Sequence, residues 1–289
     1  MNDDRDLQRA VTQVALSGLD EYRFALAGSG AIREHGIVDR LTRDVDLFTN
    51  VWDAAAFRDA VNHVTTTLTD AGYTVDRARE TDMFATLHVA DRSGAIVDVD
   101  LSYDWRAQDP AQLQVGPVLA VDDAVAAKAG AIYSREEPRD LIDVDAIRSS
   151  GRYTDDDLVQ LVAGRDDGFD PSIYADQLEI VSRRPDARFH DYGITPEQLV
   201  GLRQRTHEFA EHIRHPEATT DKVSATDQLR ALSAEERLDR LRTAGYLAPA
   251  RDLASGPSPG PYSTGTPEQQ SIIRRALPEA QPPGHDLDF

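Results

Sequence analysis

Apolar residues recur at helical spacing through Leu7, Val11, Val14, Ala15 and Leu19, and predict an amphipathic helix ahead of the first strand. A strand is predicted over 23–27, then a turn at Gly28-Ser29-Gly30, then a short helix over 31–35 stopped by Gly36. The stretch 44–48 reads as a second strand. Phe57, Val61, Val64 and Leu68 line one face of a helix over 54–71, and Gly72 is its end signal. Strands follow over 73–78, 83–89 and 95–103, with a turn at 91–94. A helix leading into alternating strands implies a small mixed sheet with helices packed on it.

After Val118 the pattern turns helical. Helices are predicted over 121–133, capped by Asp122 or Asp123, and over 139–149, introduced by Pro138. Others follow over 154–163, 172–181 and 196–214, the last with Thr195 as N-cap. One or two short helices fall within 229–244. The stretch 255–265 is rich in Ser, Pro and Gly and reads as a linker, 269–276 reads as helix, and 278–289 as a poorly ordered end. The expected class is α+β: a mixed sheet with flanking helices over 1–118, a helical domain over 119–215, and a helical extension with a Pro/Gly-rich tail over 216–289.

Composition narrows the function. No apolar run reaches the length of a membrane span, and the polar, acidic start shows no secretory signal, so a cytoplasmic location is expected. Cysteine is absent, which excludes disulfides, thiolate metal sites and cysteine nucleophiles. The net charge of −20 argues against a generally basic nucleic-acid surface but leaves room for a local basic groove. Lysine occurs only at Lys128 and Lys222, so Lys128 stands out.

The candidate chemistry begins at Asp44 and Asp46. Alternate residues of a strand share a face, so these carboxylates project side by side, with Val45, Leu47 and Phe48 expected behind them. Such a pair repels itself unless a cation or proton neutralises it. Magnesium accepts carboxylate oxygens and keeps positions for phosphate. Upstream, the Gly28-Ser29 turn at a helix start offers backbone N–H groups to a phosphate. A lone D-x-D is usually a solvated charge pair; its conjunction with this turn and an apolar strand points to phosphate chemistry. Asp98 and Asp100 share a face of a later strand, either as a further carboxylate or as the solvent-facing alternation of an edge strand. Lys128 sits among small residues that let a helix pack closely while the lysine stem reaches a pocket; the plain alternative is a snorkelling surface lysine. Arg40 and Arg43 flank the D-x-D strand and either neutralise phosphate or balance the local acid. Trp105 and Arg106 are candidates to stack on a base, with packing the safer reading for Trp105.

The segment 25–48, with A-G-S-x-A-I-x-x-H-G followed by T-R-D-V-D-L-F, resembles the glycine-serine and D-x-D motif of the nucleotidyltransferase superfamily. Within it, the form is similar to the AbiEii-type toxins, which include the MenT toxins. A second signature, K-x-x-A-I-x-x-R followed by P-R-D-x-x-D, stands here as Lys128, Ala131, Ile132, Arg135, Pro138, Arg139, Asp140 and Asp143. The resemblance covers about 25–149. It implies a nucleotidyltransferase core over 1–118 and a helical domain that completes the active site. It also implies two Mg2+ ions, with Mn2+ an alternative, on Asp44, Asp46 and a third carboxylate. Asp100 is preferred there, because V-D-L-S-Y-D-W resembles the family strand, and Asp98 is the fallback. Gly28, Ser29, Arg40, Lys128 and Arg139 would bind the nucleotide. Asp140 either caps its helix or positions Lys128 or a reacting group, and Asp143 would hold Arg139 through an i, i+4 contact. His35 matches the family's H-G pair and reads as a turn or packing residue. The implied activity is transfer of a nucleoside monophosphate from a nucleoside triphosphate to the 3′ end of tRNA, by the toxin of a toxin–antitoxin pair. The alternatives are a small-molecule transferase of the aminoglycoside-modifying kind, or a non-catalytic nucleotide-binding regulator.

Overall fold

Strand alternation governs the N-terminal half. In a computed structural model, residues 2–38, 42, 44–216, 236, 239 and 241 are described. Their strands form one seven-stranded sheet in the order β3-β4-β5-β2-β1-β7-β6. The strands are β1 (Ala25–Leu26), β2 (Asp44–Thr49), β3 (Thr74–Thr81), β4 (Phe84–Ala90), β5 (Ile96–Tyr103), β6 (Ala111–Leu113) and β7 (Gly116–Val118). The β2/β5 and β1/β7 pairs are parallel and the others antiparallel, which makes the sheet mixed, as the pattern predicts.

One face of the sheet carries Val45, Leu47, Leu87, Val89, Val97, Val99 and Leu101, all buried. Against it pack α1 (Asn2–Leu16), through Val11 and Val14, and α3 (Ala54–Asp70), through Phe57, Val61, Val64 and Leu68. Each large side chain buried here contributes roughly 1.5–3 kcal/mol relative to exposure. Asp53 caps α3 by accepting the Ala55 and Ala56 backbone N–H groups at 2.8 and 3.1 Å. The opposite face carries the polar half of each alternation, including all four candidate aspartates.

Two differences from the sequence pattern have plain causes. Strand β1 is two residues long, because Arg23 has φ of +55° and closes a short 3-10 turn (Asp20–Tyr22). Strands β6 and β7, three residues each, are too short to leave a period in the sequence. Moreover β5 is an interior strand, paired on both sides, so the edge-strand reading of Asp98 and Asp100 is wrong.

Beyond Val118 come α4 (Val121–Arg135), α5 (Pro138–Ser149), α6 (Asp155–Ala163), α7 (Pro171–Ser182), α8 (Asp186–His190) and α9 (Pro196–Arg214); the remaining helix, α2 (Gly28–Glu34), follows β1. Thr154 and Thr195 close capping boxes at α6 and α9. Helix α4 lacks the predicted aspartate cap. Instead Asp123 accepts the Ala107 and Gln108 N–H groups, both at 2.9 Å, and Asp122 accepts the Tyr153 hydroxyl at 2.6 Å. Helix α5 is buried around its whole circumference, Asp140, Asp143 and Asp145 included. No helix among the described residues is long and apolar enough to cross a membrane. The predicted linker over 255–265 and the stretches 269–276 and 278–289 lie outside the described residues. So does the predicted helical stretch 229–244, except for three residues, of which Leu241 is buried in the core.

Candidate active site

Chain geometry at the β1–α2 junction brings the first pieces together. The Ala27 N–H donates to the Asp46 carbonyl at 2.8 Å, which lays the turn against β2. Gly28 has φ of +57°, and a Cβ there would overlap Asp46 Oδ2, so only glycine fits. Helix α2 starts at Gly28, three residues earlier than the pattern predicts, and Ser29 falls in its first turn. Ser29 is buried and donates its hydroxyl to Asp143 Oδ2 at 2.9 Å.

Asp44 and Asp46 lie on one face of β2, and Asp46 sits directly opposite Asp100 of β5 in register, as Asp44 does opposite Asp98. Burial and then the charge of Asp44 push the Asp46 carboxyl up to about 6, against the opposing pull of Lys128 and Arg139. Burial also raises Asp100, opposed by a hydrogen bond from Thr86 Oγ1 at 2.7 Å. Asp98 accepts from His88 Nδ1 at 2.7 Å. Phe48 shares the aspartates' face and lines the cleft, where the sequence reading put it behind them; its even spacing from Asp44 and Asp46 was the available signal.

The helical side approaches from across the cleft. Lys128 is buried, with Nζ 3.0 Å from Asp143 Oδ2 and 3.4 Å from Asp140 Oδ1. Asp140, fully buried, also takes a two-pronged contact from Arg135, whose Nε and Nη2 each lie 2.7 Å from a carboxylate oxygen. Asp140 is therefore an anchor for two cations rather than a helix cap, and its hydrogen bond is the main cause that raises the Arg135 pKa. Asp143 does not hold Arg139. It faces inward to Ser29 and Lys128, because a carboxylate on the buried side of α5 needs strong donors there. Arg139 points the other way, with Nη1 3.4 Å from Asp44 Oδ2.

Between the two sides lies a cleft of about 390 Å³, lined by Gly28, Ser29, Asp44, Asp46, Phe48, Lys128, Arg135 and Arg139 among others. Asp104 and Arg165, paired with each other, also line it. Arg165 and Asp104 carried no sequence signal, since only the fold joins positions sixty-one residues apart. Arg135, by contrast, stands within the second signature. Asp100 borders the carboxylate pair without lining the cleft. Trp105 is 49 % exposed, with the Arg165 guanidinium 6.0 Å from its ring, so the packing reading fails there. Arg106 turns inward and donates to the Arg23 carbonyl, away from any base. His35 ends α2 and contacts the Leu119 carbonyl at 2.8 Å, as a packing residue does. Arg40 and Arg43 lie outside the described residues.

The donor set bears on a metal. Asp44 and Asp46 crowd negative charge at a spot where glycine leaves room, and hard oxygens of this kind suit a divalent ion. Among the described residues no group of three His, Asp or Glu side chains is arranged to hold an ion as it stands. Thr86 occupies one Asp100 oxygen and Arg139 approaches Asp44. A magnesium ion does not require three preformed protein ligands, since it keeps waters and takes phosphate oxygens. The Asp44/Asp46 pair therefore fits.

The model of one protein family, the nucleotidyl transferase AbiEii toxin of type IV toxin–antitoxin systems, matches residues 14–225. No curated protein matches the chain. Among solved structures, the chain is similar to JHP933 from Helicobacter pylori, at 14% identity over 84% of this chain and 97% of that one, with a TM-score of 0.47. It is also similar to MenT4, a nucleotidyltransferase toxin from Mycobacterium tuberculosis H37Rv, at 16% identity over 85% and 94% of the two chains, with a TM-score of 0.47.

Proposed function

The chain belongs to the AbiEii nucleotidyl transferase toxin family of type IV toxin–antitoxin systems and is a nucleotidyltransferase; from that premise we propose that it transfers a nucleoside monophosphate to the 3′ end of a tRNA. The observation that carries the reading is the meeting of two unlike surfaces at one cleft, Asp44 and Asp46 on β2 and Lys128 and Arg139 on the helices. One crowds two carboxylates and the other brings a held ammonium and a guanidinium to the same cleft, which suits a metal–triphosphate complex.

Asp44 and Asp46 would hold divalent metal, two Mg2+ ions or Mn2+ in their place, with Asp100 on the acceptor side. When bound, the metal would draw charge from the phosphate oxygens and favour ionisation of the acceptor hydroxyl. The acceptor hydroxyl gives its proton to water, its oxygen attacks the α-phosphorus, the bond from that phosphorus to the bridging oxygen breaks, and pyrophosphate leaves with the electron pair. Gly28 and Ser29 would present backbone N–H groups to the β- or γ-phosphate. Lys128, held from behind by Asp140 and Asp143, would offer a fixed ammonium to charge developing on pyrophosphate. Arg139 would exchange its contact with Asp44 for the triphosphate. In this reading residues 1–118 carry the transfer chemistry and 119–215 complete the site. A cognate antitoxin and a cytoplasmic location follow from the same reading.

The net charge of −20 favours a second acceptor class, a cationic small molecule of the aminoglycoside kind. One experiment separates the two. Purified protein is incubated with each labelled nucleoside triphosphate, Mg2+ and either total tRNA or an aminoglycoside, beside Asp46→Ala. Label on tRNA that depends on the base and vanishes in the variant is the expected result. Label only on an aminoglycoside would overturn the tRNA acceptor.

A further inference from the structure

The open face of the sheet continues past the aspartates in three straight rows. Asp46, Asp100, Thr86 and Arg79 stand opposite one another across β2, β5, β4 and β3. Asp44, Asp98, His88 and Asp76 form the row beside it, and Phe48, Ser102, Phe84 and Thr81 the row on its other side. Residues in register share a face, so a track leads from the cleft, through Phe48 and Asp100, to Phe84 and Arg79.

Arg79 belongs to this face only because β3 is irregular. The register shifts between Arg77 and Arg79. Arg77 opposes Leu87 and belongs to the buried face, where its Nη2 donates to Asn62 of α3 at 2.8 Å. A regular strand would give Arg79 the same face as Arg77, opposite Ala85. The bulge turns it instead opposite Thr86, and bulges beside active sites commonly re-aim a side chain in this way. Its guanidinium then lies over the Phe84 ring, 5.2 Å from the centroid. Lys128, Arg135, Arg139 and Arg165 are each paired with a carboxylate, whereas Arg79 forms no ion pair among the described residues.

We propose that Arg79, seated on Phe84, is a positioning residue for the acceptor, binding a phosphate and an adjoining base of the RNA strand whose terminal hydroxyl lies beside Asp100. The inference rests on the tRNA reading above. Three strand spacings of about 4.8 Å place Arg79 roughly 14 Å from Asp46, which is outside the reach of the triphosphate's reacting end and on the acceptor side of Asp100. A planar guanidinium on an aromatic ring offers a stacking plane to any base and donors to phosphate.

The test compares Arg79→Ala with Arg77→Ala, neighbours in β3 that face opposite ways. With total tRNA as probe, Arg79→Ala should weaken binding measured without nucleotide about tenfold and lower the slope of log K against log salt by about one. The KM for tRNA should rise in proportion while the KM for the nucleoside triphosphate and kcat stay unchanged. Arg79→Lys should keep the salt slope and recover part of the affinity, and Arg77→Ala should behave as wild type. Arg79→Ala matching Arg77→Ala, in a wild-type protein that binds and labels tRNA, overturns the proposal alone. A wild type that neither binds nor labels tRNA at low or high salt overturns the acceptor reading and this proposal with it.

Discussion

The two walls of the cleft treat charge in opposite ways. On the sheet side, Asp44 and Asp46 are half-buried and crowded, with one arginine approaching at 3.4 Å. On the helical side, Lys128 and Arg135 meet Asp140 and Asp143 so that each carboxylate has a cation within 3.4 Å, and Asp143 also accepts the Ser29 hydroxyl. The first wall stores an unmet demand for positive charge, which is a cost to folding and an asset to a metal–nucleotide enzyme. The second wall meets its own demand, and so holds Lys128 and Ser29 still. Paired burial is a device for positioning, and crowding of like charge a device for binding.

That contrast predicts opposite outcomes for similar substitutions. Asp46→Asn should reduce nucleotidyl transfer by about a thousandfold or more, while raising Tm by about 2–4 °C as a raised, crowded carboxylate is neutralised. Activity and melting measurements on one preparation check both halves, and a fall in Tm would break the comparison. Asp140→Asn should do the reverse to stability, costing about 3–5 kcal/mol because Arg135 and Lys128 lose their shared anchor. Urea unfolding reads that loss, and a loss under 1 kcal/mol would show the helical wall to be slack.

Smaller effects sharpen the picture. Arg139→Ala removes a half-exposed pair worth about 1 kcal/mol, so Mn2+ titrated without nucleotide should bind about fivefold tighter to the variant. Weaker Mn2+ binding would mean that Arg139 does not compete at Asp44. The smallest effect belongs to a surface pair. His207 is raised above its ordinary value by its hydrogen bond to Glu179 and then by that residue's charge. A raised histidine stabilises the fold below its unfolded pKa and loses that contribution as pH rises through the folded pKa. His207→Gln should therefore lower Tm slightly at pH 5.5 and leave it unchanged at pH 8.5, while transfer is unaffected at both.

Much of this was legible in the residues themselves. Helices α3 and α9 follow their apolar spacing and caps, and the Asp44/Asp46 pair follows from strand period alone. Arg165, Asp104 and the course of Arg139 were not, since each depends on which helix face meets the sheet. Asp143 shows the limit well: helical spacing pairs it with Arg139, yet burial turns it to Ser29, 114 positions away.

What the sequence determined by itself is therefore local and periodic: the mixed sheet, helices α4 to α7 and α9, the shared face of two aspartates and the two motifs, whereas the five-residue α8 is too short to leave a period. Those properties arise from backbone period and steric preference over a few residues, which any segment carries with it. Only the tertiary structure decided which charges are paired and which are left wanting. Electrostatic energy depends on burial and on neighbours within a few ångströms, and these come from distant parts of the chain. The bulge that turns Arg79 toward the aspartates, while Arg77 turns away, is of the same kind: it is defined by pairing with β4, and no local pattern announces it.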